Sequence, residues 1–271
     1  MPRTVAFMNR KGGTAKTSTV HHLGGTLAAR GLRVLLVDAD PQASLTQGLL
    51  GPEEAEDLDP RETIASILDE AGGPTPRDLV RPTAFANLAL LAGSESAEQF
   101  NWPSPWTMGR VQFELRDALA EAGDGFDLVL IDCPPHVQLC SWSALVAADG
   151  VVVPVQAEDY GSQGMRSIAR TFGRVREEAN PRLALVGYLV SMFQKSLSVH
   201  ATYEAQFRAR HGADVFEATV PHVKDFKEAV TFRQPVIAYK PKSAAAKAVG
   251  VLADEFLARL NVRLGDGGGV V

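Results

Sequence analysis

The sequence predicts an α/β fold in which helices cover both faces of a doubly wound, mostly parallel sheet. Three observations predict it. Short apolar runs typical of buried strands alternate with segments of helical periodicity, no repeat or low-complexity linker separates them, and the composition is globular, with 45% hydrophobic and 22% charged residues. We expect residues 1–264 to form a single domain and residues 265–271 to form a flexible tail.

Strand-like and helix-like segments alternate from the N-terminus onward. The strands are expected at residues 4–8, 33–38, 88–91, 126–132, 150–156, 183–192 and 214–220. The helices are expected at residues 17–30, 63–70, 111–122, 139–147, 162–178, 199–210 and 243–260. Residues 101–106 contain two tryptophans and two prolines, and they either pack as a long loop against the body or form a surface recognition element.

The composition restricts the classes of protein to consider. The net charge is −5, so only a local basic patch would support nucleic-acid binding. The two cysteines, Cys133 and Cys140, do not suffice for a disulfide framework. No apolar run is long enough to span a membrane, and a strand pattern begins within a few residues of Met1. We therefore expect a cytoplasmic protein without a secretory signal or an N-terminal DNA-reading extension.

A glycine-rich loop lies between the first predicted strand and the first predicted helix. It spans residues 9–18 and has the sequence Asn-Arg-Lys-Gly-Gly-Thr-Ala-Lys-Thr-Ser. This order points backbone N–H groups and a helix N-terminus at an anion, so we expect Lys16 to reach terminal phosphates and Thr17 to bind Mg²⁺. Arg10 and Ala15 stand where the strict P-loop pattern has glycines. The alternative is a glycine turn that binds nothing.

Two further segments place aspartates at the ends of predicted strands. Asp38 and Asp40 lie at the end of the second strand, and Asp132 ends the strand at residues 126–132. Open α/β sheets bind ligands at the carboxyl ends of their strands, and an aspartate in the position of Asp132 is typical of a Walker B strand that helps to hold Mg²⁺. For Asp38 and Asp40, the alternative is a helix N-cap followed by a turn.

Residues 11–18, 34–42 and 128–135 contain these three motifs in order. The pattern Lys-Gly-Gly-x-x-Lys-Thr, from Lys11 to Thr17, resembles the deviant Walker A motif of the ParA/MinD family of ATPases. The chain is similar to ParA-type ATPases over almost its whole length, including residues 147–155 and 220–239, and least similar at residues 51–112. The resemblance implies a P-loop NTPase fold, with ATP or ADP and Mg²⁺ as cofactors.

The resemblance also implies roles for the residues of the loop. Lys16 would neutralise the phosphates, and Lys11 would cross a dimer interface to the partner's ATP, so that a homodimer forms with ATP. The loop residues implied to bind the nucleotide are Lys11, Gly12, Gly13, Thr14, Ala15, Lys16, Thr17 and Ser18. Ala15 adds a methyl group where the backbone approaches the phosphates, so nucleotide affinity or turnover is expected to be affected.

Outside the loop, the resemblance implies a metal site and a base-binding segment. Thr17 and Asp132 would hold Mg²⁺ with support from Asp38, and Asp40 would position the attacking water. Pro221 and His222 match the base-binding region, although His222 and Val223 replace its usual Arg-Asn. We therefore expect Pro221 and nearby backbone to bind adenine.

ParA-type dimers bind double-stranded DNA without sequence specificity, so the resemblance implies a basic DNA-binding surface. Arg166, Arg170 and Arg174 recur every four residues on one predicted helix face. The other basic candidates lie downstream, at Lys195, Lys224, Lys227 and Lys247. The alternative for the arginines is a solvated helix face, or pairing with Glu177 and Glu178.

The resemblance predicts a slow ATPase of DNA partition, associated with the nucleoid and stimulated by a ParB-like partner. The alternatives are a related cargo-positioning ATPase or a nucleotide-dependent scaffold with weak hydrolysis. A MinD-like membrane-positioning ATPase is less favoured, because residues 264–271, Leu-Gly-Asp-Gly-Gly-Gly-Val-Val, cannot form a basic amphipathic helix. No membrane partner is therefore expected.

Overall fold

The computed structural model describes residues 2–69, 73–101, 104–157 and 162–262. The strands in these ranges are β1 (Arg3–Phe7), β2 (Val34–Asp38), β3 (Val80–Pro82), β4 (Leu88–Leu91), β5 (Leu128–Asp132), β6 (Gly150–Gln156) and β7 (Ala184–Ser191). They form one sheet in the order β3-β4-β2-β5-β1-β6-β7. Every neighbouring pair is parallel except β3 and β4, which are antiparallel.

Eleven α-helices and four short 3₁₀ helices connect the strands within the described ranges. The α-helices are α1 (Lys16–Ala29), α2 (Ser44–Leu50), α3 (Pro52–Glu56), α4 (Ile64–Leu68), α5 (Val111–Ala122), α6 (Leu139–Ala147), α7 (Ser162–Glu178), α8 (Ser198–His211), α9 (Lys224–Thr231), α10 (Val236–Tyr239) and α11 (Ala244–Arg259). The 3₁₀ helices are Pro60–Glu62, Glu95–Phe100, Pro105–Thr107 and Gly212–Asp214. None of the described helices has both the length and the apolar character of a bilayer-spanning segment.

The strands contribute alternate side chains to two apolar layers, one on each face of the sheet. On β1, Val5 and Phe7 belong to the layer that contains α1, α2, α9 and α11. Ala6, between them, belongs to the layer that contains α4, α5, α6 and α7. Since helices cover both faces of a mostly parallel sheet, the predicted fold class is confirmed.

The predicted strand at residues 214–220 is wrong. This segment lies beside β7 but forms only isolated bridges, between Tyr188 and Val215 and between Phe193 and Pro221. The backbone N–H groups of residues 217 and 218 donate instead to the carboxylate of Glu255 on α11, at 2.9 and 2.8 Å. A continuous ladder therefore cannot form, although the segment still reaches the carboxyl end of β7.

Other sequence expectations differ in smaller ways. The helix expected at residues 63–70 is the shorter α4, and the sequence did not predict β3, α2, α3, α9 or α10. Trp106 packs edge-on against the buried Trp142, with ring centroids 5.6 Å apart, which favours the packed-loop interpretation for this part of the segment. Trp102 lies outside the described residues, as does the predicted tail at residues 265–271.

Two neighbouring histidines of α1 are buried between helices. His21 and His22 have ring centroids 4.8 Å apart, and His22 stacks on Phe226 of α9 at 4.9 Å. His22 Nδ1 accepts a hydrogen bond from the backbone N–H of Val236 at 3.1 Å. Burial lowers the pKa of His21 to about 4 and the pKa of His22 well below its ordinary value. Both side chains are therefore neutral in the folded protein near pH 7.

We predict that His21→Leu reduces the acid sensitivity of folding. The unfolded chain takes up a proton at this histidine below about pH 6.5, whereas the folded protein does so only near its pKa of about 4. The free energy of unfolding therefore falls as the pH is lowered through this window, by about 2 kcal/mol at pH 5 for one such histidine.

Urea unfolding of the wild type and of His21→Leu, at about pH 7.5 and about pH 5, measures this effect. Other titrating groups are common to both proteins, so the difference between them isolates His21. The variant should lose less stability on acidification. An equal loss of unfolding free energy in both proteins would show that folding does not lower the pKa of His21.

Candidate functional site

The glycine-rich loop joins β1 to α1 through two residues with left-handed backbone conformation. Gly13 has φ +75°, and Ala15, immediately before α1, has φ +59° and ψ +28°. Glycine adopts this conformation freely, whereas alanine does so at a cost of about 1 kcal/mol. The chain turns directly into α1, and the first N–H groups of a helix lack partners inside the helix. The loop thus has the geometry of an anion cradle despite the alanine.

Asp38 and Asp132 lie side by side at the carboxyl edge of the sheet. They end the adjacent strands β2 and β5 and are direct register partners. Both are fully buried. Asp38 Oδ2 accepts hydrogen bonds from the backbone N–H of Thr46 at 2.8 Å and from its hydroxyl at 2.7 Å. Neither carboxylate oxygen of Asp132 has a hydrogen-bond partner among the described residues.

The electrostatics of this pair are unfavourable for two negative charges. Burial raises the pKa of Asp132 well above its ordinary value, and the charge of Asp38 raises it further. The nearby Thr17 hydroxyl and Lys16 act in the opposite direction without reversing the shift. Burial also raises the pKa of Asp38 to about 6, against the effect of its bonds to Thr46. A bound cation would remove this strain by compensating the buried charge.

The residues at this edge fit a magnesium ion. Mg²⁺ takes oxygen ligands, and the Thr17 hydroxyl and the nearby Asp132 carboxylate are the side-chain oxygens that would provide them. No group of three or more His, Cys, Asp or Glu side chains suited to a metal occurs within the described part of the chain. Phosphate oxygens and water would therefore have to supply the remaining ligands, as is usual for Mg²⁺ at nucleotide sites.

The lysines of the loop and Asp40 lie around this edge. Lys16 is buried, and its Nζ donates to the carbonyl of Lys11 at 3.4 Å. Asp40 is partly exposed, its Oδ1 accepts from the backbone N–H of Gln42 at 3.0 Å, and its own N–H approaches Asp38 Oδ1 at 3.3 Å. The turn role considered for Asp40 is thus present in the structure, and it holds the carboxylate beside Asp38.

Sequence reasoning assigned no role to three side chains that hold the loop, Asn9 within it and Gln156 and Ser191 outside it. Asn9 Nδ2 donates to the carbonyl of Pro154 at 2.6 Å, and its Oδ1 accepts from the N–H of Lys11 at 3.0 Å. Gln156 and Ser191, at the ends of β6 and β7, donate to loop carbonyls at 2.7 and 2.8 Å. The available signal was a polar residue at the carboxyl end of an apolar strand, the position at which open sheets carry their sites.

The segment expected to bind the base lies at the same edge. The N–H of His222 donates to the carbonyl of Phe193 at 2.9 Å, two residues beyond the end of β7. The His222 ring lies 2.7 Å from the side-chain amide of Gln194, measured between Nδ1 and Nε2. Ser191 links the end of β7 to the loop, so Pro221 and His222 are held on the β7 side of the cradle.

Comparisons with known proteins agree with this geometry. A family described as an AAA domain matches residues 2–185. The chromosome-partitioning ATPase Soj of Thermus thermophilus is 37% identical, over 95% of this chain and 96% of its own length. The chromosome partitioning protein ParA of Caulobacter vibrioides is 35% identical, over 95% of this chain and 94% of its own. This chain belongs to the ParA family.

Solved structures share the fold of this ParA-type chain under several names. A Mycobacterium smegmatis protein described as cobyrinic acid a,c-diamide synthase, with bound ADP and magnesium, is 29% identical. It matches with a TM-score of 0.80 over 96% of both chains. The cell division ATPase MinD of Pyrococcus furiosus, 24% identical, matches with a TM-score of 0.73 over 95% of this chain and 99% of its own. The shared fold does not by itself decide the cargo.

The basic candidates of the ParA-type chain are divided between the two faces of the sheet. The helix α7, with Arg166, Arg170 and Arg174, packs in one layer, whereas the helices that carry Lys224, Lys227 and Lys247 pack in the other. Lys195 is exposed just beyond β7. The structure therefore does not gather them into one cluster within a single chain.

Arg174 and Lys224 form ion pairs in the structure. The Arg174 guanidinium lies 3.4 Å from the ring centroid of Trp106 and pairs with Glu178 at 2.8 Å. Lys224 pairs with Glu228 at 3.2 Å. Arg170 and Lys227 are exposed and form no ion pair within the described residues. The expected alternative, pairing along the helix, thus applies to Arg174.

We predict that Asp132→Asn stabilises the metal-free and nucleotide-free protein. The substitution removes a buried carboxylate beside Asp38 whose oxygens have no hydrogen-bond partner among the described residues by distance and angle, and which the nearby Thr17 hydroxyl and Lys16 compensate only in part. The midpoint of thermal unfolding should rise by about 2 °C or more, since about 1 kcal/mol shifts a chain of this size by 2–4 °C.

The aspartate at the other end of β5 provides a matched control. Asp127 accepts hydrogen bonds from the backbone and guanidinium of Arg33, at 2.8 and 2.7 Å, and this arginine lowers the pKa of Asp127. Asp127→Asn should therefore lower the unfolding midpoint under the same conditions. A lower midpoint for Asp132→Asn as well would show that the Asp132 carboxylate is compensated in the empty site.

Proposed function

We propose that this chain is an ATP-dependent DNA partition ATPase. It binds ATP and Mg²⁺ at the loop, forms a homodimer with ATP, binds double-stranded DNA without sequence specificity, and is reset by slow hydrolysis that a ParB-like partner stimulates. The observation that carries the proposal is the buried carboxylate of Asp132, which has no hydrogen-bond partner among the described residues and lies near the Thr17 hydroxyl, at the edge where the loop meets the sheet. A cation bound to phosphate would give the Asp132 carboxylate a partner and would use the nearby Thr17 hydroxyl as a second ligand.

In this proposal, each residue at the edge has one task. Lys16 and the loop N–H groups neutralise the phosphates, and Thr17 and Asp132 hold Mg²⁺ with support from Asp38. Asp40 positions the attacking water, and Lys11 reaches the nucleotide of the partner subunit. The chain itself therefore contributes mainly positioning and charge neutralisation, which phosphoryl transfer requires most.

Family membership supports the partition role, because the relatives with 35–37% identity over almost their whole length carry that name. We further propose that dimerisation brings basic residues of two chains to one DNA surface. The exposed positions of Arg170, Lys195 and Lys227 support this step, because these side chains are accessible to DNA. Such a protein would associate with the nucleoid.

A second candidate is a nucleotide-dependent scaffold with weak hydrolysis. The strained backbone of Ala15 favours it, because Ala15 lies next to the residues proposed to hold the phosphates and Mg²⁺, and phosphoryl transfer depends on how these groups are positioned. The two candidates differ in turnover and not in nucleotide binding.

One experiment tests both candidates with Lys16→Ala and Asp40→Ala. We expect wild type to bind random-sequence DNA only with Mg-ATP, Lys16→Ala to bind neither ATP nor DNA, and Asp40→Ala to bind both while hydrolysis falls at least about tenfold. Asp124→Ala, at an exposed aspartate remote from the loop, is the control and should behave as wild type.

The outcomes distinguish the partition ATPase from the scaffold. Equal DNA binding by wild type, Lys16→Ala and Asp40→Ala, with and without ATP, would overturn the ATP switch. Absence of DNA binding by all of them would overturn the partition proposal. ATP and DNA binding without turnover, even with a cognate partner, would favour the scaffold.

For the DNA surface, we predict that Arg170→Ala weakens binding more than Arg174→Ala. The exposed Arg170 is available to a phosphate, whereas Arg174 is already engaged by Trp106 and Glu178. Affinity measured across a range of salt concentrations should show a slope reduced by about one for Arg170→Ala. An unchanged slope for that variant, with a reduced slope for Arg174→Ala, would reverse the assignment.

A further inference from the structure

Three successive carbonyls of the loop each accept a hydrogen bond from a different side chain. Gln156 Nε2 donates to the carbonyl of Gly13 at 2.7 Å, and Ser191 Oγ donates to the carbonyl of Thr14 at 2.8 Å, the shorter of its two acceptor distances, the other being 3.2 Å to the carbonyl of Val155. Thr19 Oγ1 donates to the carbonyl of Ala15 at 2.7 Å, in addition to the backbone N–H of Thr19 at 2.9 Å. We call Thr19, Gln156 and Ser191 the carbonyl clamp.

The clamp determines which way the intervening peptide N–H groups point. A trans peptide is planar, and its carbonyl and its N–H point in opposite directions. A donor that holds the carbonyl of Gly13 on one side therefore directs the N–H of Thr14 to the other side. In the same way, the bonds to Thr14 and Ala15 direct the N–H groups of Ala15 and Lys16 away from the clamp. Three consecutive donors are thereby oriented in the manner of an anion-binding nest.

The clamp also acts on the strained residue of the loop. Ala15 has φ +59°, a conformation that an alanine keeps only when its surroundings impose it. The carbonyl before it is held by Ser191 and its own carbonyl by Thr19, so both peptides that flank Ala15 are fixed. Ser191 and Thr19 are buried, which shields these bonds from water.

We propose that Thr19, Gln156 and Ser191 are positioning residues of the nucleotide site, which keep the loop in its phosphate-binding conformation with alanine at position 15. They act through the backbone of Gly13, Thr14 and Ala15 and do not touch the nucleotide. This inference rests on the proposed ATP binding. It adds to that proposal the three side chains, on α1, β6 and β7, that allow the departure from glycine.

The test is the dissociation constant for Mg-ATP in single variants that each remove one donor. Ser191→Ala, Thr19→Val and Gln156→Ala should each weaken ATP binding about 3- to 10-fold, the effect of one neutral hydrogen bond. Gln156 is only partly buried, so its variant does not depend on repacking the core. Thr19→Ser retains the hydroxyl and should bind ATP about as wild type does.

Two buried hydroxyls provide matched controls. Thr26 lies on the same helix as Thr19, Ser143 lies on α6, and neither hydroxyl has a hydrogen-bond partner among the described residues. Thr26→Val and Ser143→Ala should leave ATP affinity unchanged. Thermal unfolding of every variant shows whether an affinity change merely follows lost stability.

The decisive measurement combines Ser191→Ala with Ala15→Gly. Glycine adopts the left-handed conformation without the cost that alanine has, so it should restore most of the ATP affinity lost in Ser191→Ala, and improve wild type much less. A residue that supports only overall stability would not show this specific rescue.

Equal improvement by Ala15→Gly in both backgrounds, or wild-type affinity in all three single variants, would overturn the clamp while ATP binding by wild type stands. If wild type itself does not bind Mg-ATP, the proposed function fails and the clamp fails with it.

Discussion

The placement of two buried aspartates next to each other is the constraint on which the rest of the site depends. Asp38 and Asp132 end neighbouring parallel strands in register, so the sheet itself forces their carboxylates together without solvent. Thr46 satisfies Asp38, whereas Asp132 has no donor among the described residues. Two negative charges at this position are therefore electrostatically unfavourable, and a bound cation would compensate them. The two buried carboxylates would thus both favour the binding of a cation and destabilise the protein that lacks one.

The loop opposite these aspartates stores strain of another kind. Ala15 holds a backbone conformation that favours glycine, and side chains from β6, β7 and α1 fix the peptides around it. Four strands therefore end at this one site. β2 and β5 contribute the charged Asp38 and Asp132, and β6 and β7 contribute side chains that donate hydrogen bonds to the loop. Such convergence at the carboxyl edge is what the winding of a parallel sheet makes possible.

The sequence was sufficient for the fold class and for the limits of most predicted helices and strands to within two residues, and it selected aspartates that the structure brings together at the carboxyl edge of the sheet. Those follow from local signals, apolar periodicity and short motifs. It was not sufficient for residues 214–220, which have the apolar pattern of a strand but form no continuous ladder. The N–H groups of residues 217 and 218 donate to the carboxylate of Glu255, which is distant in the chain. Nor did it identify Gln156 and Ser191, because single polar residues at strand ends gain meaning only from their partners in space.

The most direct test of this account is a crystal structure with Mg²⁺ and a non-hydrolysable ATP analogue. The β- and γ-phosphates should lie within hydrogen-bond distance of the N–H groups of residues 12–18, and a metal ion should lie between the Thr17 hydroxyl and the Asp132 carboxylate. Ala15 should also keep its left-handed conformation when the nucleotide is bound. Phosphates bound away from this loop would contradict this expectation. A metal ion that contacts the Asp132 carboxylate neither directly nor through a water molecule would contradict it as well.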